Sequence, residues 1–246
     1  MIKNNLYILL GMIIILIFWT IGSTMIDNSL VLPGFDEVLL SLGDILSNLS
    51  TFILILNTIL KLVLIIFVSL IIAMALAILS YISSKFENFI KPIFVIIKTI
   101  PVIAIIILLL IVLGNDKSPY IMTILVVLPI IYEGLLGSLK NIDKEIIDDV
   151  KTVSKINFKV IIYIYFPLIF NFFFTTIIQT FGIGLKVMVM GEFVAQPNNS
   201  IGYILQLERS NLNTSALLAW SIILIIIVFV FEMIVVKLSK YVVKTY

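Results

Sequence analysis

The 246-residue chain contains no cysteine and no histidine, and only 12% of its residues are charged. Without cysteine there is no disulfide framework, and thiol usage says nothing about redox compartment. Without either residue a Cys/His zinc site is excluded. A thiol nucleophile, a Ser-His-Asp triad and a histidine proton switch are excluded as well. Catalysis would fall to carboxylates, Lys, Ser/Thr or Tyr alone, which favours a carrier or channel over an enzyme. Soluble domains are about 45–50% apolar and about 25% charged. Here 62% of residues are hydrophobic and mean hydropathy is +1.26. That combination rules out a soluble globular enzyme, a disordered chain and a nucleic-acid binder.

What the chain has instead is long apolar runs. Crossing the hydrocarbon core takes about 20 predominantly apolar residues at about 1.5 Å each. Six stretches meet that requirement: 6–23, 59–82, 93–113, 120–139, 160–183 and 217–238. The first follows Lys3, is longer than a signal-peptide core and lacks an A-x-A site after it, so it is expected to be a retained span. The fold expected is an all-α membrane protein with six transmembrane helices, forming one transmembrane domain over 1–246. Placing the N-terminus in the cytoplasm puts eleven Lys residues in the inner connections (3, 85, 91, 140, 144, 151, 155, 159, 237, 240 and 244). Only Lys117 and Arg209 then lie outside. The positive-inside bias therefore predicts that both termini are cytoplasmic.

The inner connection 140–159 is the longest strongly charged one. Within it Ile142, Ile146, Val150 and Val153 recur at helical spacing and predict one apolar stripe. Such a helix either packs on its own bundle or docks a partner, and periodicity alone does not decide between them. Asp148 and Asp149 stand without a second acidic cluster, so no metal site is expected there.

The segment DDVKTVSKINFKVIIYIYFP, residues 148–167, resembles the cytoplasmic "EAA" loop of ABC-importer permeases, which reads E-A-A, then Gly, then Leu-Pro. Asp148, Asp149 and Val150 stand at E-A-A, Ser154 at the glycine and Phe166-Pro167 at Leu-Pro. Two departures are evident: Glu is shortened to Asp, and Ser replaces a glycine whose left-handed turn it tolerates poorly. Four further segments resemble the nitrate/sulfonate/taurine/bicarbonate branch of that family. They are VLPGFDEVLLSLGDIL (31–46), KTIPVIAIIILLLIVLG (98–114), LPIIYEGLLGSLKNIDKEIIDDV (128–150) and GLKVMVMGEFVAQPNNSIGYIL (184–205). The resemblance implies a permease in a prokaryotic plasma membrane, working as a homodimer with two ATP-binding subunits and an extracytoplasmic solute-binding protein. Its loop would be the coupling helix between spans four and five. ATP and Mg would be bound by the partner, since the chain carries no G-x-x-x-x-G-K-[ST] phosphate loop and no cofactor of its own. The solute expected is small, polar and anionic, nitrate-, sulfonate- or taurine-like, or else a vitamin precursor, and no nucleic-acid partner is expected.

Broken and charged positions within spans are the candidates for the translocation path. Pro101 is expected to free the carbonyl of Ile97, with Thr99 supplying a hydroxyl beside it. The alternative there is a simple kink. Gln179 is a candidate neutral contact. Lys186 and Glu192 are expected at the outer end of the fifth span, where Lys186 either attracts an anion or pairs with a carboxylate. Lys98 is expected to snorkel to the cytoplasmic surface. Glu133 and Glu232 are expected to bond to neighbouring helices. Three other classes remain: a stand-alone ion-coupled secondary transporter, an intramembrane enzyme, for which clustered catalytic groups are missing, and an interaction or assembly protein without transport.

Overall fold

The computed structural model describes residues 2–153, 158–165 and 168–243, and every regular element among them is helical. In chain order these are α1 (Ile2–Ile26), α2 (Phe35–Ser47), α3 (Leu49–Ile82), α4 (Ser84–Thr99), α5 (Val102–Leu113), α6 (Ser118–Lys140) and α7 (Lys144–Val153). A single turn (Phe158–Val160) and a π-helical segment (Ile161–Tyr165) come next. The chain then continues through α8 (Phe170–Ala195), α9 (Ile201–Ser210) and α10 (Thr214–Val243).

Helix boundaries follow local chemistry. Asn48 closes α2 in an extended conformation and opens α3, its side chain accepting from the Ser50 amide at 3.1 Å. Asp36 and Glu37 lie in the first turn of α2, where the macrodipole favours them. Ser83 and Ser200 cap α4 and α9. Between α4 and α5, Ile100 (φ −66°, ψ 129°) and Pro101 (φ −55°, ψ 128°) are extended, as a residue before proline and a proline both prefer. The chain bends there by 96°.

Among the described residues four helical stretches are long and apolar enough to cross a membrane: Leu49–Ile82, Ser118–Lys140, Phe172–Ala195 and Thr214–Lys240. The bent pair α4–α5 makes a fifth candidate, and Leu10–Ile26 is a shorter apolar helix. The expected third span is thus two helices meeting nearly at a right angle, because two consecutive extended residues do more than kink a helix. The expected fifth span shifts towards the C-terminus, to 170–195. The expected second span begins earlier, at the Asn48 cap.

The core lies where α3, α6, α8 and α10 meet, with Leu62, Val127, Ile131, Phe181, Leu185 and Trp220 buried in one cluster. Helices α3 and α6 run one way, Lys61 meeting Tyr120 and Ser80 meeting Tyr132, and α8 runs against α6, Gly134 meeting Thr176 and Gly191 meeting Pro119. Helix α10 also runs against α8, Lys186 lying by Leu224 and Phe173 by Val235. A Cβ on Gly134 would lie 2.6 Å from the Thr176 hydroxyl, so only glycine allows α6 and α8 this close. Phe181 and Phe231 stack with centroids 3.6 Å apart, tying α8 to α10. A smaller cluster of Ile105, Ile106, Met122 and Val187 seats α5 on α6 and α8. Helix α1 stands outside both clusters, touching the rest through Trp19, whose indole donates to the Pro33 carbonyl at 3.0 Å. One end of the bundle carries Ile82, Lys140 and α7. The other carries Ala195, α9, Thr214 and α2, with Thr214 donating to the Ser29 carbonyl at 2.8 Å.

Candidate functional site: the α7 face and the charged positions of the spans

Helix α7 forms as expected, but its apolar side is rotated relative to the predicted stripe. Ile142 is buried ahead of the helix, while Ile147 and Val150 pack against the main core. Ile146 is turned outwards with 37% of its surface exposed. The reason is that α7 starts at Lys144, so helical spacing does not extend back to Ile142. Glu145, Ile146, Asp148, Asp149 and Thr152 form the outward face. The helix therefore does both things that periodicity left open: one side packs on its own bundle and the other stays uncovered. Ser154 and Pro167 lie outside the described residues, as does the side chain of Val153. Beside α7, Lys140 at the end of α6 holds Glu87 of α4 at 2.6 Å.

At the α4–α5 break Pro101 has no N–H to offer the Ile97 carbonyl, as expected, and α4 ends there. The Ile100 amide still donates to Ile96, and the Pro101 carbonyl accepts from Ala104 and Ile105 at 2.9 and 3.3 Å. Thr99 and Pro101 are exposed, and the Thr99 hydroxyl donates back to the Ile96 carbonyl at 3.1 Å. Lys98 is half-exposed and reaches across to α6. Its ammonium donates to both oxygens of Glu133 on α6, at 2.8 and 2.7 Å, a charge-assisted pair. Below this pair, Phe94 packs edge-on against Tyr132, whose hydroxyl donates to Ser80 of α3 at 2.8 Å.

Glu192 lies in the last turn of α8, as expected, while Lys186 lies two turns further in, and the structure does not bring them together. Six residues apart on a continuous helix, they leave on different faces. Glu192 is fully buried, and one of its oxygens accepts from the Gly202 amide of α9 at 3.2 Å. A Cβ on Gly202 would lie 2.3 Å from the Phe193 nitrogen and 2.5 Å from the Val189 carbonyl, so α9 lies directly on the end of α8. Lys186 instead lines a groove of about 440 Å³ between α8 and α10, together with Gly182, Leu185, Ile225, Phe229 and Glu232. Gln179 is exposed on α8. Lys61 of α3 donates to the Tyr120 hydroxyl at 2.8 Å and lies 5.1 Å from that ring's centroid.

Sequence reasoning missed α9 and the meeting of Lys186 with Glu232 in one groove. Ser200 followed by I-G-Y-I-L-Q-L-E carried a cap and an apolar repeat for α9. The groove depends on the register of α8 against α10, and no local pattern in either helix encodes that register.

A bundle of apolar helices, interrupted between two of its long members by a short amphipathic helix at one end, defines a multi-pass membrane protein. Residues 65–244 match the family described as binding-protein-dependent transport system inner membrane component, and the chain belongs to it. It is a transmembrane permease of the ABC-importer type. Two solved structures share the fold, both described as inward-facing conformations of the MetNI methionine ABC transporter. The native crystal form has a TM-score of 0.67 at 14% identity, covering 79% of this chain and 99% of that one. The selenomethionine-soak form has a TM-score of 0.64 at 12% identity, with the same coverage of both chains. No curated protein shows significant sequence similarity to this chain.

Proposed function

We propose that this chain forms the translocation path of an ABC importer for a small polar solute, two copies assembling with two ATP-binding subunits and receiving solute from an extracytoplasmic binding protein. The observation that carries the reading is the two-sided α7. Its inner side is fixed to the bundle by Ile147 and Val150, and its outer side presents Ile146 among carboxylates. A helix anchored in this way transmits a push from outside the bundle to α6 and α8 without being pulled off. Approach of two ATPases would move two such helices together and switch the path between inward- and outward-facing states, a bistable element biased from a distance. The Lys count supports a cytoplasmic α7 end with both termini on that side, and the importer type supports a prokaryotic plasma membrane. The segments 31–46, 98–114, 128–150 and 184–205 support the nitrate/sulfonate/taurine/bicarbonate branch. In this reading Asp148, Asp149, Val150, Ser154 and Pro167 belong to the coupling region, and Thr99, Pro101, Gln179, Lys186 and Glu192 border the path.

The test is uptake into vesicles containing the full complex. ATP-dependent accumulation that stops when the ATP-binding subunits are omitted supports the proposal. Accumulation driven equally well by an ion gradient without them would establish the secondary-transporter alternative.

A further inference from the structure

Helix α4 is tied to the bundle along one side. Ile90 and Phe94 are buried in the main core, Glu87 meets Lys140 at 2.6 Å, and Lys98 meets Glu133 at 2.7 Å. Residues 87 and 98 are eleven apart on α4, while 140 and 133 are only seven apart on α6. At about 1.5 Å per residue, about 16 Å of α4 therefore runs beside about 10 Å of α6. The helix slants through the α7 end of the membrane instead of standing parallel to α6.

The side of α4 that the bundle leaves open is ordered. Lys85, Phe89, Ile93, Ile96 and Ile100 follow one another at intervals of three or four residues, and all five are exposed. They form one stripe, with a cation at the α7 end and large apolar side chains rising from it into the membrane. From Lys85 to Ile96 the stripe runs for about 16 Å, close to the roughly 15 Å of hydrocarbon in one leaflet. Among the described residues Lys85 has no ion-pair partner. Glu87 is the one carboxylate of α4, and Lys140 already holds it. A headgroup carrying its own ammonium finds no free carboxylate on this helix, whereas a purely anionic headgroup finds Lys85. Lys91 is also exposed, but it leaves about 120° around the helix from Lys85 and lies outside the stripe.

We propose that this stripe binds one anionic phospholipid of the leaflet at the α7 end. Its phosphate meets Lys85, and one acyl chain lies along Phe89, Ile93 and Ile96, covering the side of α4 that the bundle leaves open. The inference needs only the membrane placement of the fold. It is independent of which solute the chain carries and of what drives transport.

The cysteine-free sequence makes the test direct. Phe89→Cys and Ile96→Cys are introduced singly into the full chain, labelled with bimane, and reconstituted in the assembled complex in vesicles containing doxyl-labelled lipid. Doxyl-phosphatidylglycerol is expected to compete for the Phe89→Cys position about fivefold better than doxyl-phosphatidylcholine, the preference that one lysine near the surface supplies. A doxyl group near the headgroup should quench Phe89→Cys best, and one near the middle of the chain Ile96→Cys. Adding Lys85→Gln should abolish the preference for the anionic lipid, and Lys91→Gln should leave it. Equal quenching by the two lipids would overturn the proposal. Equal loss of preference in the two lysine variants would overturn it too, since that is attraction by general surface charge. Quenching by neither lipid would show that protein covers the stripe and would refute it. ATP-driven uptake by the same complex is scored separately, so each of these failures leaves the permease reading intact.

Discussion

The Lys98–Glu133 pair gives the sharpest quantitative prediction. Its two oxygen contacts are 2.7 and 2.8 Å, and its side chains are 45% and 51% exposed on the isolated chain. In bulk water such a pair contributes about 0.2–1 kcal/mol. Glu133 lies seven residues from Lys140, however, about 10 Å inside the end of α6. At that depth an uncompensated charge costs up to about 3 kcal/mol. Lys98→Met or Glu133→Gln alone leaves one such charge and should lower stability by about 2–3 kcal/mol. The double variant leaves none and should cost about 1 kcal/mol or less. The coupling energy from a double-mutant cycle on unfolding in mixed micelles is therefore about 3–5 kcal/mol. The Lys140–Glu87 pair at the helix ends serves as an internal control, with an expected coupling below about 1 kcal/mol. A coupling under about 0.5 kcal/mol for Lys98–Glu133 would mean that the pair is fully hydrated, and the placement of α4 inside the membrane would be refuted.

Three other outcomes follow from the packing. Gly202→Ala drives a methyl into the Phe193 nitrogen and the Val189 carbonyl, backbone atoms that do not yield, and should cost about 3 kcal/mol and free α9 for proteolysis. Tyr132→Phe removes the donor to the buried Ser80 hydroxyl and should cost about 1–2 kcal/mol in thermal unfolding, with Ser80→Ala in the same chain recovering part of it. Ile147→Asp places a charge against the core and should lower expression and stability. Ile146→Asp on the outer face should leave both unchanged while reducing ATP-coupled uptake. Equal destabilisation by the two would contradict the two-sided reading of α7.

The apolar runs and the Lys distribution made the helical membrane class legible, because hydrocarbon thickness imposes a length that any sequence must obey. The position of α7 was legible from its charged connection and from the residues that resemble the EAA loop. Which of Ile146 and Ile147 faces inwards was not, since that depends on where the first helical turn begins. Pro101 announced a break, but its size did not show, because the bend depends on Ile100 and Pro101 both being extended. The pairing of Lys98 with Glu133 was out of reach for the same reason as the groove of Lys186 and Glu232. Side chains 35 and 46 residues apart meet only through the register of packed helices. Glu192 was marked as a candidate, yet its partner proved to be the amide of Gly202, a backbone group that carries no side-chain signature.

The central claim is that α7 is the surface on which a separate ATP-binding subunit acts. Ile146→Cys in the otherwise cysteine-free chain, treated with a short bifunctional reagent in inverted membranes of cells making the whole complex, tests it most directly. The account predicts a cross-linked product with the ATP-binding subunit whose yield changes on adding ATP. Modification of the same cysteine by an impermeant reagent applied outside intact cells, with no cross-linked product, would contradict it.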